Sequence, residues 1–317
     1  MGNCTSCVTS NIQIHEYGCL ENSLHIQSAI GSGKHKVGSV HSQQGAKGLN
    51  QDSAVLYQGY GMEDGAFCAV FDGHGGNGHI VSRVVRNQLP SLLLNQRKFM
   101  DWNEALVSSF KTMDKEINLI ETVDCSFSGS TAVIAVKQGE DLIIANLGDS
   151  RAVLGTLTEN GIQATQLTKD HKPDVPSEVE RIKKANGRVF AHESQPHIQR
   201  VWLPNEDVPG LAMTRAFGNF DMKSYGIIVT PEITHRRVTS EDQFLVLACD
   251  GVWDVLSNEE VVSIVRSVKN KEAAAKAVID EALAAWKRKF PSAKVDDCTA
   301  VCLFLQERED CLLLPTT

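Results

Sequence analysis

The chain has 317 residues, 42% of them hydrophobic, enough apolar material for one full core with tails, and no compositional break divides it into comparable halves. Its formal net charge of -8 excludes a general nucleic-acid binder, whose footprint is a basic face. No apolar run approaches the roughly 18 residues needed to cross a bilayer. The nine cysteines are an odd number without a signal-peptide core, and Cys68, Cys249 and Cys302 sit inside apolar runs, so a reducing compartment is expected.

Met1 to Lys36 is rich in Ser, Asn, Gln, Gly and His, has no sustained apolar period, and reads as a mobile tail. Structure is expected to begin near Val37 and to form one domain over residues 37–306, with 307–317 as a C-terminal tail. Ala54–Tyr57 and Phe67–Phe71 read as strands. Asp101 then stands as an N-cap before Trp102, Leu106, Phe110, Met113, Ile117 and Ile120, spaced by three and four as on one helix face. Thr131–Val136, Leu142–Leu147 and Arg151–Leu154 are further strands between Gly and Asp turns. Ser177 and Glu180 predict the start of a short helix that Gly187 ends. After the strand Phe244–Ala248, a second capping pair, Ser257 and Glu260, precedes Val261, Val262, Ile264, Val265 and Val268. An Ala-rich helix over Lys271–Phe290 closes in Lys287, Arg288 and Lys289 before Pro291, and Thr299–Leu305 is the last strand. Strands rich in apolar residues together with amphipathic helices predict an α+β fold of sheets flanked by helices.

Three of these strands end in an aspartate: Phe67–Phe71 in Asp72, Leu142–Gly148 in Asp149, and Phe244–Cys249 in Asp250. One Asp after a strand is an ordinary turn residue or helix cap. Three that converge would repel one another and shift upward in pKa unless a cation lay between them. No His or Cys stands at tetrahedral zinc spacing near them, so the ligand atoms are expected to be oxygen throughout, which suits Mg2+ or Mn2+.

Around the aspartates stand Asn50-Gln51-Asp52, Phe71-Asp72-Gly73-His74-Gly75-Gly76, Ser128-Gly129-Ser130-Thr131-Ala132, Gly148-Asp149-Ser150-Arg151, Leu211 to Gly218, Ala248-Cys249-Asp250-Gly251-Val252-Trp253-Asp254, and Asp296-Asp297-Cys298-Thr299. In this order and spread the chain resembles the metal-dependent type 2C protein phosphatases, closest to their plant branch, over about Val37 to Leu305. The resemblance implies two packed antiparallel β-sheets with helices outside and a two-metal centre at one end. It implies Asp52, Asp72, Asp250 and Asp296 as carboxylate ligands, the Gly73 carbonyl as a further oxygen ligand, and Asp72 as the bridge. Asp149 and Asp254 match positions that, with Asp250, hold a weaker third metal in the family. Lys47, five residues before Asp52, stands at the offset of a phosphate-binding Arg. The implied function is a protein serine/threonine phosphatase, monomeric, acting on phosphorylated proteins.

The residue types suit that chemistry. Two divalent cations about 4 Å apart can generate a bridging hydroxide and screen phosphate oxygens during in-line attack. No cysteine lies in a phosphate-cradling loop, and Gly73–Gly76 lacks the Lys and Ser/Thr of a P-loop. A serine or threonine alkoxide leaves poorly, and His74 is placed to protonate it. Arg151 and Arg215 read as structural ion-pair partners, Gly129, Gly148 and Gly218 as turn residues, and the stripe from Trp102 as core.

One position departs from the family pattern: Gly218 is followed by Asn219 where an Asp is usual, a lost charge expected to act on metal affinity or activity. Two other functions compete with the active phosphatase. One is a catalytically silent member of the fold serving as a signalling module, against which stand the retained carboxylates and His74. The other is a hydrolase of a small phosphorylated metabolite. At the start of the chain, Met1-Gly2-Asn3-Cys4-Thr5-Ser6 matches the pattern for N-myristoylation of Gly2, with Cys4 and Cys7 as palmitoylation candidates. Myristate alone holds a membrane only marginally and no polybasic patch is present, so palmitate is the expected second signal and the cytoplasmic face of the plasma membrane the expected site. Without lipid, cytosol and nucleus are expected.

Overall fold

The central strands are apolar at consecutive positions because both of their faces are covered. In the computed structural model, which describes residues 24–28, 38–193 and 195–306, Ala54, Leu56, Cys68 and Val70 point inward, among Leu245, Leu247, Val301 and Leu303 of a second sheet. Their neighbours Val55, Phe67, Ala69 and Phe71 point outward, beneath Val81, Val85, Leu89, Leu106, Phe110 and Met113. On the opposite side Phe244, Val246, Ala300 and Cys302 meet Val261, Val265, Val278, Ile279 and Trp286. Each fully buried aliphatic or aromatic side chain of this kind contributes about 1.5–3 kcal/mol of transfer free energy, so four layers, helix, sheet, sheet and helix, close on one another.

The first sheet has the strand order Leu24–Ser28, Ser53–Gln58, Ala66–Phe71, Ala132–Gln138, Asp141–Leu147, Glu232–Arg237. The second runs Gly161–Gln166, Arg151–Thr158, Asp242–Ala248, Cys298–Phe304, Gly38–Gln43. Neighbours are antiparallel except at one edge, where Leu24–Ser28 lies parallel to Ser53–Gln58. That strand falls in the segment whose composition predicts no element. Edge pairing runs through backbone amides and carbonyls, which a polar composition does not remove.

Helices Gly78–Arg97 and Trp102–Asn118 cover the first sheet, and Asn258–Ser267 and Ala274–Lys289 the second. Two predicted caps form: Asp101 accepts from Glu104 N at 2.9 Å, and Ser257 and Glu260 make a reciprocal capping box. The third is corrected. The short helix spans Pro176–Lys184, with Val175 at the N-cap and no side-chain cap, because Pro176 suits the first helical turn, where its missing N–H is no loss. Its end is also shifted: Asn186, at φ 61°, takes the left-handed conformation and Gly187 N returns to Ile182 O at 2.9 Å. The longest helix, Gly78–Arg97, was absent from the sequence expectation. Pro90 interrupts its pattern, yet Val81, Val85, Leu89 and Leu93 form a buried stripe at intervals of four.

Candidate metal centre

Strand register decides which residues meet. Ser53 pairs with Phe71, Val70 with Val133, Ala132 with Leu147, and Ala248 with both Ala300 and Arg151. Asp52, Asp72, Asp149, Asp250 and Asp296 therefore all lie at one end of the sandwich, just beyond the strands that carry them.

The backbone there is tightly tied. Asp72 N donates to Thr131 Oγ1 at 3.1 Å, Thr131 N donates to Asp72 O at 2.9 Å, and Gly73 N donates to Gln51 O at 3.2 Å. Gly73 has to be glycine: a Cβ would lie 2.4 Å from Gly78 O and 2.5 Å from Gln51 O. Gly148 adopts φ +105° to turn the chain into Asp149, with no room for a side chain against Thr131. Asp297, beside the candidate ligand Asp296, accepts from Gly45 N at 2.8 Å and from Gln51 N at 2.9 Å. It thus pins the loop that carries Lys47.

Burial raises the carboxyl groups, and their mutual repulsion adds to it. Asp52 is pushed up to about 7, by burial first and then by Asp297 and Asp296, against hydrogen bonds from Thr299 and Cys249. Asp72 is raised by burial and by Asp52, Asp250, Asp296 and Asp149; Asp250 by burial and by Asp149, Asp296 and Asp254; Asp149 up to about 6, chiefly by burial. Asp52 Oδ2 and Asp149 Oδ1 are buried acceptors with no hydrogen-bond partner among the described residues. Buried, converging and partly unpartnered carboxylate oxygens are the donor set of a hard cation, so the residues present fit the metal pair that the resemblance implies.

One sulfur atom lies beside the carboxylates. A ligand atom from each of Asp52, Asp72 and Cys249 lies within 4.8 Å of the others. The thiol comes from the residue just before Asp250, which the strand alternation turns into the core beneath the centre. Burial, followed by Asp52 and Asp72, holds the thiol well above its usual range. Its Sγ accepts from Thr299 N at 3.2 Å and donates to Asp297 O at 3.5 Å. Kept protonated and engaged in this way, Cys249 is a poor ligand for Mg2+ or Mn2+.

Lys47 stands at the rim of the centre in an ion pair with Asp296. His74 follows Gly73, and its Nε2–H donates to Asn219 Oδ1 at 2.8 Å; burial lowers its pKa, and the bond to Asn219 opposes that. Asn219 is fully buried at φ 51°, a left-handed conformation Asn tolerates, and its N–H donates to Ser128 O at 2.9 Å. The side chain at 219 thus meets His74 directly, a relation across 145 residues that no local pattern reveals.

Asp254 is exposed and accepts from Lys172 Nζ at 3.3 Å; sequence reasoning passed over this lysine. Arg151 and Arg215 are structural partners. Arg151 forks onto Asp170 at 2.6 and 3.1 Å. Arg215 binds buried Glu178 at 2.7 and 3.0 Å, where Arg181 and Thr214 also converge. Gly2, Cys4 and Cys7 lie outside the described residues.

Two packed antiparallel sheets flanked by helices, with a group of buried carboxylates at one end, define an α+β sandwich with a candidate metal centre. A model of the family described as Protein phosphatase 2C matches residues 37–288, and the chain belongs to the protein phosphatase 2C family. "Probable protein phosphatase 2C 72" of Arabidopsis thaliana is 53% identical over 331 residues, covering 98% of this chain and 99% of the relative. "Probable protein phosphatase 2C 61", also of Arabidopsis thaliana, is 55% identical over 280 residues, 86% of each chain. Among solved structures, a serine-threonine phosphatase 2C from Toxoplasma gondii superposes with a TM-score of 0.75 at 27% identity, covering 84% of this chain and 93% of its own. The protein is a phosphoprotein phosphatase.

The raised carboxyl groups set a pH dependence. In the unfolded chain these aspartates titrate near 3.9, whereas in the folded protein Asp149 and Asp52 titrate at about 6 and about 7. Between these values the folded state holds the extra protons, so its metal-free stability falls as pH rises through that window. Melting temperature in EDTA should therefore carry a destabilising contribution at pH 7.5 that is relieved at pH 5, and added Mn2+ should stabilise more at pH 7.5 than at pH 5. Scanning fluorimetry at the two pH values checks this; a Mn2+ shift that does not grow with pH counts against cation binding at these carboxylates.

Proposed function

We propose that this phosphatase hydrolyses phosphoserine and phosphothreonine in protein substrates with a pair of Mg2+ or Mn2+ ions held by Asp52, Asp72, Asp250, Asp296 and the Gly73 carbonyl. The observation that supports the reading best is the group of buried carboxylates, with Asp52 Oδ2 left unpartnered, beside a histidine anchored from outside the group. Bound there, the cations would lower the pKa of attacking water and neutralise charge on the phosphate oxygens. The chain's own residues do the rest. Gln51 and Thr131 hold Asp72 and Gly73 in place through backbone bonds, so the donor oxygens need little reorganisation when a substrate arrives.

Asn219 fixes the ring of His74 through Nε2. Nδ1, which has no partner among the described residues, is the atom left for the leaving oxygen, and it can give a proton only from the imidazolium, in which both ring nitrogens carry one, a form that burial disfavours and the bond to Asn219 favours. Lys47, held at the rim by Asp296, can exchange that carboxylate for a phosphate oxygen. A module freed from catalysis has no reason to keep unpaired buried carboxylates, and nothing at the centre favours that reading. We take the working unit as a monomer.

The start of the chain adds a location. Gly2 fits a myristoylation site, and Cys4 and Cys7 supply the second acyl signal that stable anchoring needs. Among the described residues no helix is long and apolar enough to cross a membrane, so the proposed membrane contact is peripheral and lipid-borne, at the cytoplasmic face of the plasma membrane.

Activity on phosphothreonine peptides should require added Mg2+ or Mn2+ and disappear in excess chelator, and Asp72→Ala and Asp250→Ala should each remove nearly all turnover while circular dichroism stays native; turnover that persists in EDTA refutes the two-metal mechanism. His74→Ala should lose about 10- to 1000-fold in kcat on a phosphoserine peptide and much less on an aryl phosphate, whose phenolate leaves without a proton. Equal losses on both substrates point to positioning instead. A C-terminal fluorescent fusion should mark the plasma membrane, and Gly2→Ala should move it to cytosol and nucleus; an unchanged distribution refutes the lipid anchor.

A further inference from the structure

His74 and Asn219 meet across a small sheet of their own. Three two-residue strands lie in the order Phe217–Gly218, Gly129–Ser130, Gly73–His74, with Gly129 opposite Gly218 on one side and His74 on the other. Gly129 serves space here rather than a turn: a Cβ on it would lie 2.3 Å from Asn219 Oδ1 and 2.9 Å from His74 Nε2, in the gap where the two side chains bond. Gly218 and Asn219 then take left-handed φ values of 69° and 51°, which bring the Asn219 amide to the imidazole.

Helix Trp102–Asn118 sets the place of that turn. Its buried face carries Leu106, Phe110, Met113 and Ile117, and among them one acid, Asp114. A carboxylate on a core-facing stripe costs free energy unless it is bonded. Asp114 Oδ1 accepts from Gly218 N at 2.8 Å, Lys223 Nζ pairs with Asp114 Oδ2 at 3.1 Å, and the same ammonium donates to Ala216 O at 2.7 Å. One turn earlier on the helix, Phe110 stacks on Phe217 with ring centroids 5.1 Å apart. Ala216, Phe217 and Gly218 are thus each held from the helix side. A plain ion pair does not account for the arrangement, because both charged groups also bond the backbone that leads into Asn219. The Asn219 side chain has no second anchor: its Nδ2 is buried without a partner among the described residues. The position of the amide therefore depends on the backbone beneath it.

We propose that Asp114 is a positioning residue for the reaction, holding the Gly218 amide so that Asn219 stands where it orients the His74 imidazole. This rests on the proposed reading of His74 as the group that protonates the leaving oxygen. Asp114 acts through two links, the Gly218–Asn219 backbone and then the Asn219 amide, and its bonds go to Gly218 and Lys223 rather than to the carboxylates of the centre. Its loss leaves the attack of water as it was and impairs the departure of the alkoxide. A displacement of about 1 Å in a reacting group can cost on the order of 100-fold in rate. The cost falls only on substrates whose leaving group needs a proton.

Kinetics of the full-length protein in saturating Mg2+, on a phosphoserine peptide and on an aryl phosphate, test this. Asp114→Ala should lose about 10- to 100-fold in kcat on the peptide with KM little changed, and stay within about twofold of the parent on the aryl phosphate, which also shows that the variant is folded. Asp114→Asn keeps an acceptor for Gly218 N and should retain most of the parent rate. Added to His74→Ala, Asp114→Ala should cost nothing further, because both changes remove one function. Should the alanine variant fold poorly, Asp114→Leu with Lys223→Met replaces the pair by apolar groups and serves the same comparison. An unchanged peptide rate, equal losses on the two substrates, or a loss undiminished in the His74→Ala background overturns the proposal. A second readout does not use turnover. In protein labelled with 15N in its imidazoles, the His74 Nε2–H resonance should shift in Asp114→Ala and hold its place in Asp114→Asn, and a resonance unmoved by Asp114→Ala also overturns the proposal. If His74→Ala alone costs both substrates equally, the general-acid reading fails, while this resonance still reports whether Asp114 places the ring.

Discussion

Repulsion between buried carboxylates is the constraint on which the rest of this structure depends. Asp52, Asp72, Asp149 and Asp250 each rise above the ordinary carboxylate range, with burial first among the causes. A soft scaffold would relax by turning such groups toward water. Here each carboxylate sits one or two residues from a strand whose two faces are both packed, so the backbone cannot rotate without opening a core layer. The stability of the sandwich is in this sense converted into a fixed charge arrangement that a cation can relieve.

The ties around the centre fall into two kinds. Bonds donated by backbone amides to Gln51 O, Thr131 Oγ1 and the Asp297 carboxylate hold the carboxylates and the loop of Lys47. Side-chain networks farther out hold the periphery: Glu178 with Arg215, Arg181 and Thr214 on one side, and Arg151 with Asp170 on the other. Glu178 is 2% exposed, and hydrogen bonds from Arg215, Arg181 and Thr214 overcome its burial and hold its carboxyl far below the usual range. The acidic groups of the periphery are thus satisfied by protein cations, while among the described residues Asp52, Asp72, Asp149 and Asp250 form no ion pair and only Asp296 and Asp254, at the rim, are held by Lys47 and Lys172.

His74 shows how a substitution changes meaning with its surroundings. Along the chain, Asn219 is a missing charge near a metal motif. In space it is an acceptor for His74 Nε2–H, seated in a left-handed turn. A neutral amide orients the imidazole without the electrostatic stabilisation of the imidazolium that a carboxylate would supply. The proton economy of His74 is therefore tied to residue 219.

Much was legible in the chain itself. Apolar runs ending in Asp marked the strands Ala66–Phe71, Asp141–Leu147 and Asp242–Ala248 and the carboxylates at their ends, because a strand covered on both faces leaves an unbroken apolar signature. Asp101 and the Ser257–Glu260 pair marked helix starts, since capping is a local interaction within four residues. Short edge elements such as Leu24–Ser28 were not legible, because they are held by backbone pairing rather than by side-chain pattern. Nor were the contacts of Cys249 with Asp52 and Asp72, of Lys172 with Asp254, or of Asn219 with His74. The sequence by itself determined which carboxylates end strands and how those strands cover their faces, since both follow from short-range periodicity. Only the tertiary structure decided which groups confront one another, because register between strands and the stacking of two sheets set distances that residues 82 or 145 positions apart cannot encode locally.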